Sequence, residues 1–160
     1  CQRRDGDCHL WFFAKGLPGY SWYVPKQNGY LNLGVGAISA RLKKKQQHIA
    51  AHWEHFIATL RRGQLIPNEL SPKPSGYSYY LRDRVDIRRL GNAFVIGDAA
   101  GLATRDMAEG IGPAVRSGIH AANAIADGTD YRLDSVSAFS LPPGWKRRTL
   151  EYLLVRRGQG

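Results

Sequence analysis

Asn28-Gly29 restricts the architecture more than any other feature, because both residues accept positive φ and the pair stands between two extended, aromatic and β-branched runs. The runs at 22–26 and 30–37 are therefore expected to pair as an antiparallel hairpin. A third run of the same character, 10–14, lies upstream, separated by the turn signal Gly16-Leu17-Pro18-Gly19. A sheet of this kind needs apolar cover, and the next segment offers it. Ser39 is placed as an N-cap, and Leu42, Ile49, Trp53, Phe56, Ile57 and Leu60 fall on one side of a helical wheel. The spacing predicts one helix from 39 to about Arg62, stopped at Gly63. Lys43, Lys44, Lys45, Gln46 and Gln47 occupy its other faces, so it covers the sheet on one side only.

Pro67, Pro72 and Pro74 break the chain into a loop, and Tyr77, Tyr79, Tyr80 and Leu81 suggest another extended segment. After a turn at 88–92, Ala93-Phe94-Val95-Ile96 shows no polar alternation, the pattern of a strand buried on both faces in a helix-covered parallel sheet. Gly112-Pro113 opens a helix, with Val115, Ala122 and Ile125 expected inside and Gly128 as its stop. Ser117, Gly118, Ala121, Ala122 and Ala124 are small enough to let it pack closely against neighbouring backbone. Beyond Asp130 the pattern weakens through Leu141-Pro142-Pro143-Gly144 to a basic segment at 145–157, read as a short helix. The expected class is α/β, with an α+β character in this chain, divided at 1–88, 89–130 and 131–160.

Composition excludes several function classes. With 160 residues, 43% hydrophobic and 22% charged, the chain can bury a core and is not disordered as a whole. No apolar run approaches bilayer length, and no basic-then-apolar signal opens the sequence. Cys1 and Cys8 form neither a CxxC pair nor a zinc spacing; free thiols fit a reducing, cytoplasmic compartment. The first residue is not Met, which is expected of a processed or partial chain. The 23 Lys plus Arg against 13 Asp plus Glu give a net charge of +10. The basic runs, however, are separated by apolar segments and carry no RNP, zinc-finger or helix-turn-helix pattern, so nucleic acid is not the expected partner. His48, His52 and His55 share a helix flank, yet no Cys or acidic cluster completes a metal site, and no metal is expected.

The sharpest chemical feature is Ile96-Gly97-Asp98-Ala99-Ala100-Gly101, where a strand ends in glycine, an acid and small residues. Small residues let a ligand approach backbone, and a carboxylate there can accept hydrogen bonds from polyol hydroxyls. Asp98 could equally cap backbone amides in a turn. Downstream, Glu109-Gly110-Ile111-Gly112-Pro113 opens a helix with bare N–H groups, an arrangement suited to negative charge. Glu109 is read as orienting this glycine loop.

Gly97-Asp98-Ala99-Ala100-Gly101-Leu102, followed by Glu109-Gly110-Ile111 and Arg116-Ser117-Gly118, resembles the second FAD-binding motif of flavoproteins with the p-hydroxybenzoate hydroxylase fold. Tyr20-Ser21-Trp22-Tyr23-Val24-Pro25 with Gly34-Val35-Gly36 is similar to the Tyr-x-Trp-x-Phe-Pro…Gly-x-Gly signature of geranylgeranyl reductases. Val24 stands where that family usually has Phe, and Arg105 where many relatives have Pro. The amino-terminal Gly-x-Gly-x-x-Gly of the family has no counterpart. Gly34-Val35-Gly36-Ala37-Ile38-Ser39 imitates it but lacks the third glycine.

The resemblance implies an antiparallel substrate-domain sheet with a covering helix, joined to the carboxyl-terminal strand and helix of a Rossmann-like FAD domain. It implies FAD held by Gly97, Asp98, Gly110, Ile111 and Gly112, and a prenyl substrate lined by Tyr20, Trp22, Pro25, Gly34 and Gly36, with no catalytic side chain assigned. NADPH or another reductant would supply electrons. A carboxyl-terminal portion alone is expected to bind FAD poorly. The segment from Trp145, with Leu150, Leu153 and Leu154 among Lys146, Arg147, Arg148, Arg156 and Arg157, is a candidate for contact with an anionic membrane surface. Two alternatives stay open: an aromatic monooxygenase or halogenase-like flavoprotein, and a non-catalytic basic binding module.

Overall fold

A computed structural model describes residues 6–83 and 88–155, with helices and small antiparallel sheets in an α+β arrangement. The chain separates into two compact units, 1–76 and 77–160.

In the first unit, β1 (His9–Phe12), β2 (Gly19–Pro25) and β3 (Leu31–Ala37) form an antiparallel meander. The expected hairpin is present: Asn28 and Gly29 take φ of 59° and 76°, and Pro25 faces Leu31 across it. Strand alternation then sorts the side chains. One face carries Trp11, Tyr23, Leu33 and Val35 against a core of Phe56, Ile57, Leu60 and Ile66. Burying Phe56, Ile57, Leu60 and Ile66 contributes about 1.5–3 kcal/mol each. The other face carries Leu10, Phe12, Tyr20, Trp22, Gly34 and Gly36, in register across the three strands.

The expected single helix is two helices, α1 (Ser39–Lys44) and α2 (Ile49–Arg62). A continuous 39–62 helix would run about 36 Å, against about 23 Å for a seven-residue strand. The chain instead turns at Gln46, whose φ is 52°. Gln46 N–H donates to the Lys43 carbonyl and Gln47 N–H to that of Leu42, which satisfies the last carbonyls of α1. Ser39 is the first helical residue; the cap position is Ile38, with no side-chain cap. His52 takes the buried place expected of Ile49, which is 43% exposed. At the end of α2, Gly63 follows the last helical residue, but the left-handed residue is Gln64, at φ 54°.

In the second unit, β4 (Arg89–Leu90) and β5 (Ala93–Phe94) make a two-residue hairpin. The segment 93–96 is therefore not a strand buried on both faces: Ala93 is exposed and Ile96 is 42% exposed, because among the described residues only β4 pairs with it. Nor do Tyr77, Tyr79 and Tyr80 form a strand; Leu81 alone makes an isolated parallel bridge, to Ala103. A 3-10 turn at Gly97–Ala100 and a loop lead into α3 (Ile111–Asp127), stopped as expected at Gly128, φ 63°. The last helix is α4 (Trp145–Val155). The core here is Leu102, Ala121, Ala124, Tyr131, Leu133 and Val136.

The buried side of α3 is Pro113, Ser117, Ala121 and Ala124, whereas Val115 and Ile125, expected inside, are 58% and 65% exposed. Small residues face inward because backbone comes close: a Cβ added at Gly97 would lie 3.0 Å from Ala114 Cβ. Segments 84–87 and 156–157, and the side chains of Leu150, Leu153 and Leu154 proposed for membrane contact, lie outside the described residues. No described helix is long and apolar enough to cross a membrane.

Candidate functional site

Gly97 turns the chain at φ 56°, and its N–H donates to Ser117 Oγ at 3.0 Å. Ser117 Oγ in turn donates to the Ala114 carbonyl at 2.9 Å. This fully buried pair ties the 3-10 turn to the first turns of α3 and aims the next residue, Asp98, at the helix entrance. A Cβ added at Gly110 would lie 2.6 Å from Asp98 Oδ1, so only glycine fits there. The two elements that the sequence motifs single out are thus in direct contact.

Asp98 Oδ1 is buried and has no hydrogen-bond partner. A carboxylate oxygen in that condition costs free energy until a donor reaches it. No side chain caps the first turn of α3, which opens at Gly110 and continues through Ile111, 81% exposed, and half-buried Gly112. An orphaned acceptor beside uncapped backbone donors is chemically suited to a group that offers both a hydroxyl and negative charge.

The loop between Asp98 and Gly110 is held largely by residues outside the sequence motifs, Asp106, Thr104, Ser140 and Tyr79. Asp106 has no accessible surface and accepts from the N–H groups of Met107, Ser140 and Leu141 at 3.0, 2.8 and 2.8 Å. Thr104 Oγ1 accepts from Glu109 N–H at 3.0 Å and lies 2.7 Å from Ser140 Oγ, which also donates to Glu109 Oε2 at 2.9 Å. A Cβ at Gly112 would come 3.1 Å from Glu109 Oε1, so the exposed Glu109 carboxylate lies beside the helix entrance. Tyr79 Oη donates to the Ala108 carbonyl at 2.8 Å, fixing a left-handed residue at φ 53°. Burial first, then the charges of Asp98 and Tyr77, raise the pKa of the Tyr79 phenol. Arg105 Nε donates to the Arg82 carbonyl at 2.7 Å, which closes the loop where the related motif has proline.

In the first unit, the Trp22 indole lies across Gly34, where any Cβ would collide with it, and Nε1 donates to Asn32 Oδ1 at 2.9 Å. A Cβ at Gly36 would meet the same ring at 3.4 Å. The rings of Tyr20 and Trp22 are 5.8 Å apart, and those of Phe12 and Tyr20 are 5.3 Å apart. Tyr20, Trp22, Gly34 and Gly36 therefore make one aromatic surface, while Pro25 alternates to the other face. In the Gly34–Ser39 imitation of a dinucleotide loop, Gly34–Ala37 belong to the paired strand β3 and Ser39 opens α1.

His52 Nε2 lies 3.3 Å from Gln47 Oε1, and burial, then His55 and Lys45, lower its pKa. Among the described residues no group of three potential metal ligands converges.

No family model matches the chain, and no solved structure matches it significantly. The chain is 29% identical over 138 residues to digeranylgeranylglycerophospholipid reductase 2 of Methanosphaera stadtmanae, covering 83% of this chain and 33% of that protein. It is 32% identical over 122 residues to menaquinone reductase of Mycolicibacterium smegmatis, covering 74% of this chain and 29% of that protein. The chain thus spans about a third of the length of these curated relatives, and what it resembles is part of two reductases.

Proposed function

We propose that this chain forms part of an FAD-dependent oxidoreductase that saturates carbon–carbon double bonds of an isoprenoid chain. The observation that carries the reading is the buried, partnerless Asp98 Oδ1 set against the bare Gly110 entrance of α3. Both residues fit the group: Asp98 would accept from a ribityl hydroxyl, and the backbone N–H groups of Gly110, Ile111 and Gly112 would face the N1–C2=O edge of the ring. Bound there, FAD supplies hydride chemistry after reduction by NADPH or another reductant.

The remaining roles belong to the chain's own residues. Ser117 and Gly97 hold the strand tip close to α3, and Asp106, Thr104 and Ser140 keep the connecting loop from closing over Gly110. The helix entrance favours negative charge at its ligand and so favours the reduced, donating state. Tyr20 and Trp22 offer an apolar surface to a long hydrocarbon, with Gly34 and Gly36 leaving room for the indole. The related reductases bear names that point to isoprenoid-bearing lipids, a glycerophospholipid and a quinone, in keeping with such a surface.

The test is flavin retention by the protein expressed from its complete reading frame. The wild-type protein should purify yellow, and Asp98→Ala should weaken FAD binding about tenfold or more, the cost of losing one hydrogen bond to a charged acceptor. Equal retention by both proteins would remove Asp98 from the cofactor site.

A further inference from the structure

Between Asp7 and Glu54 the chain contains no acidic residue, yet it holds Lys15, Lys26, Arg41, Lys43, Lys44 and Lys45. Folding gathers most of these cations at one end of the first unit. The loop after β1 and the start of α1 meet there, because Ile38 N–H donates to the Pro18 carbonyl at 3.0 Å and Lys45 Nζ to the Gly16 carbonyl at 3.1 Å. Lys15, Lys43, Lys44 and Lys45 are all exposed.

Apolar side chains border them. Phe12 and Leu10 are 37% and 43% exposed, and Phe12 lies 6.1 Å from the ring of Phe13, two residues before Lys15. Phe13 and Lys15 take φ of 57° and 51°, an uncommon conformation for residues with side chains. Backbone strain of this kind persists where the surrounding structure imposes it, and it often marks a functional segment.

From this juxtaposition we propose that the Phe12–Lys15 loop and α1 form a docking surface for an anionic lipid bilayer. The lysines would lie over the headgroups while Phe12 and Phe13 enter the boundary with the acyl chains. A bilayer suits the patch better than a nucleic acid does: its exposed cations are lysines, and the one arginine, Arg41, is partly buried, which leaves no exposed planar fork for base edges. The surface stands whether or not the aromatic sheet face takes a prenyl chain.

Sedimentation of the full chain with vesicles tests it, using phosphatidylcholine with and without phosphatidylglycerol and confirming folding of every variant by circular dichroism. The wild-type chain should bind only the anionic vesicles. Lys15→Glu/Lys43→Glu/Lys44→Glu should lower partitioning about a hundredfold, on the basis of roughly fivefold per lysine. Lys26→Glu/Arg62→Glu/Lys73→Glu, an equal change of charge elsewhere in the unit, should lower it less than about threefold. Phe12→Ser should weaken binding at unchanged charge. Equal losses from the two triple variants, no effect of Phe12→Ser, or binding to RNA in place of vesicles would overturn the assignment.

Discussion

Asp98 and Asp106 are eight positions apart in one loop and take opposite roles. Asp98 leaves a buried oxygen without a donor, whereas both oxygens of Asp106 are occupied by backbone N–H groups. The first was legible because its neighbours Gly97, Ala99, Ala100 and Gly101 are themselves a local pattern. The second was not, because its partners Ser140 and Leu141 are 34 and 35 residues away and donate through backbone, which no side-chain motif records. Asp106→Ala would leave two partly buried N–H groups of the 140–141 segment without their carboxylate acceptor. At about 1–3 kcal/mol for each unsatisfied group, unfolding in urea should shift by roughly 3 kcal/mol. A shift below about 0.5 kcal/mol, the range of ordinary surface changes, would show that Asp106 does not hold the loop.

At the scale of elements, α3 carries two apolar faces: Val115 and Ile125, expected inside, lie on the exposed one, while Ser117, Ala121 and Ala124 pack closely inward as their small size predicts. The folded unit buries the small side because Gly97 comes within contact of Ala114, a closeness that periodicity alone does not report. Ile111, Val115, Ile119 and Ile125 are left 54–81% exposed, in a stripe without a charged residue. Val115→Ser and Ile119→Ser should each alter unfolding free energy by less than about 0.5 kcal/mol. Ala121→Leu should cost about 1–3 kcal/mol through overpacking. Denaturation of the three variants checks this, and the reverse order would exchange the two faces. The break between α1 and α2 escaped the sequence for a related reason. Gln46 has no intrinsic preference for positive φ, and the turn is imposed by the shorter sheet it must fit.

For the whole molecule, the sheet and its covering helix follow from patterning within the first 62 residues, while the second unit depends on contacts distant in sequence. Its segment 93–96 reads as a fully buried strand from its apolar pattern, yet among the described residues only β4 pairs with it, while Phe94 packs on Tyr131, whose Oη donates to the Val95 carbonyl. Ile96 and the stripe of α3 leave several large apolar side chains exposed together. The curated relatives are about three times longer than their matched portion. The most direct measurement is mass spectrometry of a geranylgeranyl-bearing lipid incubated anaerobically with reduced FAD and the protein from its complete reading frame. The account predicts a gain of two hydrogens per double bond, as hydride plus a proton from solvent, and its loss in Asp98→Ala. An unchanged lipid with flavin bound, or equal turnover by the variant, would contradict it.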